Sequence, residues 1–493
     1  MPNYWKNEKQ IVAHHSHTTI TPYELGENKK FENRLSVYIE AEYRFDNIGY
    51  FYDKANLTLY IPRGIDLIFL QKEFNCEVIV DSRCTKPEYI KGIRMTVPPR
   101  DRIQLQAIEF LSGQGDHIRV LKNSQQALVL DTGDGKTYSA IHAIVNYGMN
   151  AVIITHQDKI KNQWMTSFLN MTNITLDKMM NLTGSGSIMD VINGTKKANV
   201  YFVNHQTLQS FAKIHGWKAV KEFFESAHIG IKVFDEAHLN FRNVVLIDFF
   251  SNVYKTFYLT ANFGRTDTNE GRLYKRVFAN VVKFGEETKN YVEKRKHIIY
   301  VPVLYNSNPT DTDRISVINS YGFSVLNFCK YALHDDEEKT QLRHFLHVLN
   351  IAVNIEGKIL VTVPKIDDTI FLADIIRKEF PGDDYTVGTI NSRNSKEDNE
   401  FVKKSCDIIC STIKSCGTGV DIKGLRCIIN LEPFSSPITT NQLAGRLREY
   451  SPVHDTYLFD LIDLSFKTCA NQYKTKLSHL RKKCKEIQVM KRN

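Results

Sequence analysis

Short apolar runs alternate with turn-rich and amphipathic segments along most of the chain. Between about residues 35 and 81 the apolar stretches, such as Leu57–Ile61 and Cys76–Val80, are brief and separated by turns, which is typical of a small α+β domain. Adjacent prolines at Pro98 and Pro99 favour extended backbone and end regular structure. We therefore place a first domain at residues 1–95.

From residue 96 the pattern changes to apolar strands followed by amphipathic helices. Such alternation predicts parallel sheets covered by helices on both faces. A charged stretch at 285–296 separates two series, so the predicted fold class is α/β, with parallel-sheet domains at 96–286 and 287–493 behind the α+β domain. The predicted strands are Ala127–Leu130, Ala151–Ile154, Val200–Val203, Ile231–Phe234 and Thr256–Leu259, then Ile359–Val363, Tyr385–Val387, Asp407–Cys410, Cys427–Asn430 and Tyr457–Asp460.

Composition and charge narrow the class of protein. The 493 residues, 42% of them hydrophobic, can bury several cores. Neither a signal segment nor an apolar stretch near the roughly 20 residues of a membrane span is present, so we expect a cytoplasmic protein without a membrane partner. The net charge of +9 suggests a polyanionic partner. The basic run Lys474–Lys491 fits a solvated face of a C-terminal helix as well as a phosphate-binding surface.

Three of the nine cysteines, Cys406, Cys410 and Cys416, lie close together around an apolar strand pattern. Their spacing contains no CxxC pair, and buried free cysteine behaves as a small hydrophobe. We interpret them as core residues rather than metal ligands.

The segment Thr132-Gly133-Asp134-Gly135-Lys136-Thr137 joins a predicted strand to a predicted helix. Glycines allow backbone N–H groups to approach phosphate oxygens, and the helix start adds positive potential. Lys136 would neutralise β/γ-phosphate charge and Thr137 would ligate Mg²⁺. The segment therefore predicts an ATP site, although Leu130 stands where the full eight-residue pattern has its first glycine.

A second candidate for chemistry is Asp235-Glu236-Ala237-His238, where an apolar strand ends in paired carboxylates. We expect Asp235 to hold Mg²⁺ and Glu236 to orient and deprotonate the attacking water, with a further contribution to the metal site. The alternative is a solvated turn, which the glycine loop upstream makes the weaker interpretation. Because adjacent strand residues face opposite ways, we expect the two acids to have different roles.

A third candidate is Gln442-Leu443-Ala444-Gly445-Arg446-Leu447-Arg448, which we expect on a helix of the last domain. Guanidinium groups can stabilise charge on a transferring phosphoryl group and sense its presence. Arg446 and Arg448 are therefore candidate catalytic residues, with Gln442 beside the nucleotide. A surface arginine pair is the alternative.

In this order and spacing the three segments resemble the motifs of superfamily 2 helicases and translocases, over roughly residues 98 to 465. The resemblance implies two RecA-like domains with ATP between them and a nucleic-acid strand across the top. It also implies roles for smaller segments. Gln104 resembles the glutamine that reads adenine, and Asp421 would lie near the nucleotide. Gln163 and Thr207 resemble residues of the first domain that contact the nucleic-acid strand, and Thr412 resembles such a residue of the second domain. His238, Thr260 and Gly419 would couple hydrolysis to movement.

Three positions depart from the family pattern. His156 replaces a usual proline and receives no role, and the coupling motif ends in Asn262 rather than threonine. The second arginine of the last motif arrives one residue early, at Arg448, a rotation of about 100° on a helix. Arg446 is therefore the preferred phosphate sensor, and Arg448 would reach the nucleotide only through a local shift.

The N-terminal segment 49–81, which includes Leu59–Ile65, resembles the small first domain of UvsW-type phage recombination helicases and a segment of XPB-type DNA helicases. This resemblance implies ATP-driven remodelling of branched DNA: branch migration, fork regression, and recombination, repair or R-loop unwinding, in the host cytoplasm for a phage protein. The aromatic run Tyr50, Phe51 and Tyr52 could stack on bases at a junction. We favour the alternative, in which these side chains pack in the core. An RNA-directed helicase in transcription is the alternative, and an ATP-dependent scaffold or restriction motor is a third possibility.

Overall fold

A computed structural model describes residues 8–39, 44–114, 123–130, 133–261, 268–285, 296–319, 322–381, 385–415, 422–450, 453–481 and 483–491. The chain divides into two units, residues 1–292 and 293–493. The predicted fold class is confirmed: a small α+β region and then two parallel-sheet α/β regions. Among the described residues, no helix has the length and apolar character needed to span a membrane.

The first unit opens with a five-stranded sheet of order β5-β6-β2-β1-β7, in which only β1 and β7 pair in parallel, and a separate β3–β4 ladder. The side chains of Asn28 and Asp66 cap the two helices of this region by accepting backbone N–H groups. The elements are β1 Gln10–Ala13, β2 His17–Thr21, α1 Lys29–Arg34, β3 Val37–Ile39, β4 Arg44–Asp46, β5 Phe51–Asp53, β6 Thr58–Pro62, α2 Leu67–Phe74 and β7 Val78–Val80.

The rest of the first unit is a seven-stranded, all-parallel sheet of order β10-β11-β9-β12-β13-β8-β14. Its central strands are buried along their whole length, as expected for a sheet with helices on both faces. The elements are α3 Arg102–Ser112, β8 Gln125–Val129, α4 Lys136–Tyr147, β9 Ala151–Thr155, α5 Asp158–Met171, β10 Met179–Leu182, α6 Ser185–Ile192, β11 Val200–Asn204, α7 His205–His215, α8 Trp217–Ser226, β12 Ile231–Asp235, α9 Phe241–Phe249, β13 Lys255–Thr260, α10 Thr268–Val277 and β14 Val282–Phe284.

The second unit contains another parallel sheet, of order β19-β20-β18-β21-β22-β15-β23, with β24 also pairing with β15. A short hairpin, β16–β17, and a π-helical turn at Tyr331–Asp335 lie between β15 and α13. The elements are β15 Ile298–Tyr305, α11 Asp311–Val317, β16 Ile318–Asn319, β17 Gly322–Phe323, α12 Val325–Lys330, α13 Thr340–Ala352, β18 Lys358–Val363, α14 Ile366–Glu379, β19 Val387–Ile390, α15 Lys396–Ser405, β20 Ile408–Thr412, β21 Leu425–Asn430, α16 Pro437–Ala444, β22 Thr456–Asp463, α17 Lys467–Leu480, β23 Glu486–Ile487 and β24 Met490–Lys491.

The strands predicted from the apolar runs exist with nearly the predicted bounds, except that the one predicted at Tyr385–Val387 lies at Val387–Ile390. Strands β10, β14 and β15 were not predicted. The basic C-terminal run is not one helix: α17 ends at Leu480, and β23 and β24 pair with β15. Its Lys476 is buried and bonded to Asp460 at 2.8 Å, so this lysine is not a surface contact for phosphate.

Aromatic packing joins the N-terminal sheet to the first parallel sheet. The Phe250 ring stacks on Tyr60 at 5.7 Å and on Trp217 at 5.2 Å, and meets Phe51 edge-on at 5.0 Å. Tyr50 is also buried, with 7% of its surface exposed, which agrees with the packing interpretation of this aromatic run. The two sheets therefore share one hydrophobic core.

A buried polar network lies beside this contact. The Lys232 ammonium is 2.5 Å from Asp248 Oδ1, and the Tyr258 hydroxyl donates to Asp248 Oδ2 at 2.6 Å. Gln125 Nε2 donates both to the Tyr258 hydroxyl, at 2.7 Å, and to the Ser16 carbonyl, at 3.1 Å. Burial lowers the pKa of Lys232 and raises that of Asp248, so each depends on the other to stay charged. The network therefore links β8, β12 and β13 to the N-terminal sheet through the Ser16 carbonyl.

Replacing Phe250 by Ala should lower the free energy of unfolding of the first unit by about 3–5 kcal/mol, because it removes a buried ring from the core that both sheets share. Denaturant unfolding followed by tryptophan fluorescence measures the change. As a control, Ile214→Ala removes a side chain that is 69% exposed and should change stability by less than about 0.5 kcal/mol. Equal effects of the two substitutions would contradict the shared core.

Candidate nucleotide site

The loop between β8 and α4 has the backbone of a phosphate-binding turn. Gly133 and Gly135 have φ angles of 93° and 87°, in the left-handed region that favours glycine. Helix α4 begins at Lys136, directly after the N-cap residue Gly135, which has no side chain to cap it. The first N–H groups and the positive end of the helix suit a bound phosphate. Asp134 is buried, and Thr132, also assigned to this loop, lies outside the described residues.

Gln104 packs directly against this loop. A Cβ atom on Gly135 would lie 2.2 Å from Gln104 Nε2, so only glycine allows the glutamine to come this close. Gln104 Oε1 accepts the Arg100 backbone N–H at 2.8 Å, and its own N–H donates to Asp101, which caps α3. The Arg100 guanidinium lies 3.4 Å from the Gly133 carbonyl. The predicted adenine-reading residue and the phosphate loop are therefore brought together.

Lys136 is held inside the loop. Its ammonium donates to the Leu130 carbonyl at 2.9 Å and lies 4.0 Å from Glu236 Oε1. Leu130, which replaces the first glycine of the usual pattern, is buried in the core, and its N–H bonds to the Thr260 carbonyl at 3.2 Å. The chain is thus still paired with its neighbouring strand at residue 130.

The paired carboxylates lie at the end of β12, but only Asp235 belongs to the strand. Glu236 follows with a φ angle of 50°, a strained left-handed conformation that non-glycine residues seldom adopt. The turn, rather than strand alternation, therefore separates the two acids. Burial and the Glu236 charge raise the pKa of Asp235 to about 6, while the Trp164 indole N–H, 2.8 Å from Asp235 Oδ2, favours the ionised form.

His238 links the carboxylate turn to the next strand. Its Nδ1 lies 2.8 Å from the Thr260 hydroxyl and 3.3 Å from Glu236 Oε2. Thr260 is fully buried at the end of β13, beside β12 in the sheet. The three residues assigned to hydrolysis and coupling in this unit are therefore in contact, whereas Asn262 lies outside the described residues.

The oxygen groups at this edge suit Mg²⁺ bound together with a triphosphate. Mg²⁺ is held by one or two protein oxygens plus phosphate and water, and the Asp235 carboxylate and the half-buried Thr137 hydroxyl in the first turn of α4 are of that type. Within the described parts of the chain, no group of three His, Cys, Asp or Glu side chains could hold a metal without such a ligand. Cys406 and Cys410 are buried, and Cys416 lies outside those parts.

The residues assigned to strand contact in the first unit emerge at one edge of the sheet. Gln163 is exposed on α5, and Thr207 is half-buried in the first turn of α7. The two helices follow the neighbouring parallel strands β9 and β11. Asn204, at the start of α7, donates to Asp158 of α5 at 2.8 Å and accepts from the Thr155 hydroxyl at 2.8 Å. Hydrogen bonds therefore join the starts of the two helices.

In the second unit, the structure corrects the expectation for the last motif. Helix α16 contains Gln442 but ends at Ala444, so Arg446 lies in the turn that follows and Arg448 in irregular chain beyond that turn. Arg446 is half-buried and Arg448 is exposed. The argument from helical rotation does not apply, because the departure from the family spacing falls where no helix constrains it.

The other second-unit assignment that can be placed is Thr412, at the end of β20. Its hydroxyl lies 2.9 Å from the Ser415 hydroxyl and accepts the Ser415 N–H at 3.0 Å. Gly419 and Asp421, assigned to coupling and to the nucleotide, lie outside the described residues.

Sequence reasoning missed Trp164 and Arg100, although both contact residues of the predicted site. Trp164 directly follows Gln163 and has the apolar spacing of a core residue, so its polar N–H gave no signal. Arg100 lies in the predicted linker, four residues before Gln104. Asn204 could have been found from the sequence, because an asparagine between a strand and a helix often forms hydrogen bonds near the start of the helix.

Comparison with known proteins gives two family matches. Residues 100–265 match the model described as Type III restriction enzyme, res subunit, and residues 340–449 match the helicase conserved C-terminal domain. Two viral proteins named Transcript termination protein A18 are similar. The one from Yaba monkey tumor virus is 21% identical over 391 residues, covering 78% of this chain and 75% of the relative. The one from fowlpox virus is 24% identical over 348 residues, covering 67% and 69%.

Among solved structures, the crystal structure of T4 UvsW aligns over 98% of this chain and 99% of its own, with a TM-score of 0.38 and 14% identity. The first family match spans the phosphate loop, the carboxylate turn and Thr260, and the second spans Thr412 and Arg446. The chain belongs to the superfamily 2 helicases and is a nucleic-acid-dependent ATPase of the helicase type.

Proposed function

We propose that this helicase uses ATP hydrolysis to move along DNA and to remodel branched DNA, displacing one strand from another at junctions, forks or R-loops. The observation that carries the motor part is the meeting of Lys136, Asp235 and Glu236 at the carboxyl edge of the first parallel sheet. The DNA part rests on the resemblance of the N-terminal segment to UvsW-type helicases, together with the docking of that segment on the motor.

In this proposal, separate residues of the site bind phosphate, hold the metal and accept a proton during hydrolysis. Lys136 exchanges its internal acceptor, the Leu130 carbonyl, for phosphate oxygens. Asp235 and Thr137 hold Mg²⁺, which when bound neutralises charge on the phosphates. Glu236, fixed by its strained turn, accepts the proton of the water that attacks the γ-phosphorus. Gln104 recognises the adenine base. The phosphate-binding loop itself consists of Thr132, Gly133, Asp134 and Gly135.

Coupling to movement would pass through the contact of His238 with Glu236 and Thr260. When Glu236 contacts the attacking water, its carboxylate would be less available to His238. The contact of His238 with Thr260 would then change, and Thr260 lies at the end of the next strand, β13. The second unit would contribute Arg446 to the phosphates, with Gln442, Asp421 and Gly419 supporting nucleotide binding and coupling. Arg448 has a lesser part because it is exposed after the end of α16.

Strand contact would involve Gln163, Thr207 and Thr412. The first two emerge at one sheet edge on helices joined through Asn204, so they can contact successive phosphates of one strand. Phosphate contacts would make binding sensitive to salt. The neighbouring His205 is not proposed as a contact, because it is buried, stacks on Phe234 at 5.7 Å and has its pKa lowered by burial to about 3.

The second candidate is a motor that acts on transcription complexes, displacing a transcript from its template. The observation that favours it is the shared name of the two similar viral proteins, which refers to transcript termination. Both candidates displace a strand, and the viral origin of both relatives supports a viral enzyme acting inside an infected cell. They differ in whether RNA polymerase is part of the substrate.

Lys136→Ala and Glu236→Gln should each reduce DNA-stimulated ATP hydrolysis by at least about 100-fold, because one removes phosphate neutralisation and the other the base. Phosphate release measured at saturating DNA gives the rates, and circular dichroism checks the fold. Lys221→Ala, which removes a lysine with a 59% exposed side chain, should keep the wild-type rate. Unchanged turnover in either site variant would refute the assignment.

Arg446→Ala should lower the ATP turnover number more than Arg448→Ala does, by about 10-fold or more, because Arg446 is the half-buried member of the pair. Turnover at saturating ATP and DNA is the measurement. The two arginines are two residues apart in the segment after α16, so general damage to that segment would affect both variants equally. The reverse order would assign the phosphate contact to Arg448.

ATPase stimulation and strand displacement on a panel of nucleic acids test the choice of substrate. The branched-DNA proposal predicts that a four-way junction and an R-loop stimulate turnover more than single-stranded DNA, linear duplex or structured RNA. Release of transcript from a stalled polymerase complex, without displacement on naked junctions, would favour the transcription candidate. Stimulation by structured RNA alone would contradict both.

A further inference from the structure

We propose that Trp164 is a positioning residue for the Asp235 carboxylate, and that it ties the proposed metal site to helix α5, which carries Gln163. This inference rests on the proposed role of Asp235 in holding Mg²⁺. It adds a residue that touches neither nucleotide nor nucleic acid and acts through the carboxylate.

The contact is a single, well-formed hydrogen bond in the protein interior. Trp164 Nε1 lies 2.8 Å from Asp235 Oδ2, and only 1% of the tryptophan and 8% of the aspartate surface is exposed. An indole N–H can donate but cannot accept, so it serves only one carboxylate oxygen and fixes which one. The bond fixes the direction of Oδ2 and, through the planar carboxylate, that of the other oxygen.

The neighbours of Asp235 show why the carboxylate needs this donor. Burial and the charge of Glu236 raise the pKa of Asp235, whereas Trp164, Lys136 and His156 lower it. The negative charge of Glu236 disfavours the ionised form of Asp235. The Lys136 ammonium donates to the Leu130 carbonyl at 2.9 Å. The Trp164 N–H therefore supplies a direct hydrogen bond that orients the buried carboxylate.

Helix α5 is itself fixed by polar contacts at its start. Asp158 accepts from Asn204 of α7 at 2.8 Å and pairs with the buried ammonium of Lys161, also at 2.8 Å. Further along, Trp164 packs near Phe168 in the core, with 6.4 Å between ring centroids. Consecutive residues on a helix point about 100° apart, which lets Gln163 be exposed while Trp164 faces Asp235. A rotation of α5 by a strand bound at Gln163 would move the indole N–H relative to the carboxylate.

The test compares Trp164→Phe, which keeps a ring but removes the N–H, with Phe168→Leu, a change of a buried ring one turn away that does not contact Asp235. Trp164→Phe should raise the Mg²⁺ concentration for half-maximal ATPase by about 10-fold or more, as loss of a partner that orients a metal ligand does. Phe168→Leu should shift it less than about twofold, even where thermal stability falls equally. Mn²⁺, which oxygen sites of this kind also bind, should restore part of the Trp164→Phe activity at saturation.

A readout without nucleotide or metal tests the hydrogen bond itself. The chain has three tryptophans, so ¹⁵N-indole spectra give resonances that single Trp→Phe variants assign. Asp235→Asn should shift the Trp164 resonance and leave that of Trp217, which stacks on Phe250, in place. Adding single-stranded DNA to the wild-type protein should also shift the Trp164 resonance, and Gln163→Ala should reduce that shift.

The outcomes separate the two levels of proposal. If Trp164→Phe and Phe168→Leu have the same Mg²⁺ dependence, or if Asp235→Asn leaves the Trp164 resonance unmoved, the positioning role is overturned and the proposed function stands. If Asp235→Asn hydrolyses ATP at the wild-type rate, the metal role of Asp235 fails instead. A Trp164 resonance that does not respond to DNA would overturn the link to Gln163.

Discussion

A buried carboxylate at the end of β12 is the constraint on which the nucleotide site depends. Removing an ionised carboxylate from water is costly unless hydrogen bonds or opposite charges compensate. Asp235 is placed in that situation beside a second carboxylate, and its pKa is raised accordingly. The surrounding features, the Trp164 N–H, the lysine of the phosphate loop and the turn at Glu236, can each be understood as a response to that charge. A cation bound with phosphate would compensate the same charge.

Left-handed backbone occurs at three positions of the same edge. Gly133, Gly135 and Glu236 all have positive φ angles, and Gly135 also has Gln104 packed where a Cβ atom would lie. Strain such as that at Glu236 persists only when the surrounding structure is rigid. The rigid part lies at the opposite ends of the strands, where Lys232 and Asp248 form a buried pair and Phe250 joins the two sheets. Stability and chemistry therefore occupy opposite edges of one sheet.

Much of this arrangement could be predicted from the sequence, since apolar strands and glycine loops are local signals. The strands near the phosphate loop and the carboxylate turn fall where the apolar runs predict, and Lys136, Asp235 and Glu236 come together because parallel strands end at one edge. The end of α16 could not be predicted in this way. Gly445 follows Ala444 and lowers helix stability, but a glycine inside a helical pattern does not by itself fix the last helical residue, and its own φ angle of −69° is still helical. Trp164 was missed because its role depends on a partner 71 positions away in the chain.

The shared core of the first unit also determines how substrate choice can be studied. Removing the N-terminal residues would expose Phe250 and Trp217 and leave Gln125 and Tyr258 without part of their polar network. Loss of activity after such a deletion would then report damage to the motor as readily as loss of DNA recognition. Substitutions of exposed residues in the N-terminal sheet leave that core intact. They are therefore the changes that can separate the recognition of branched DNA from the hydrolysis of ATP, and the same reasoning applies to a transcription complex as the substrate.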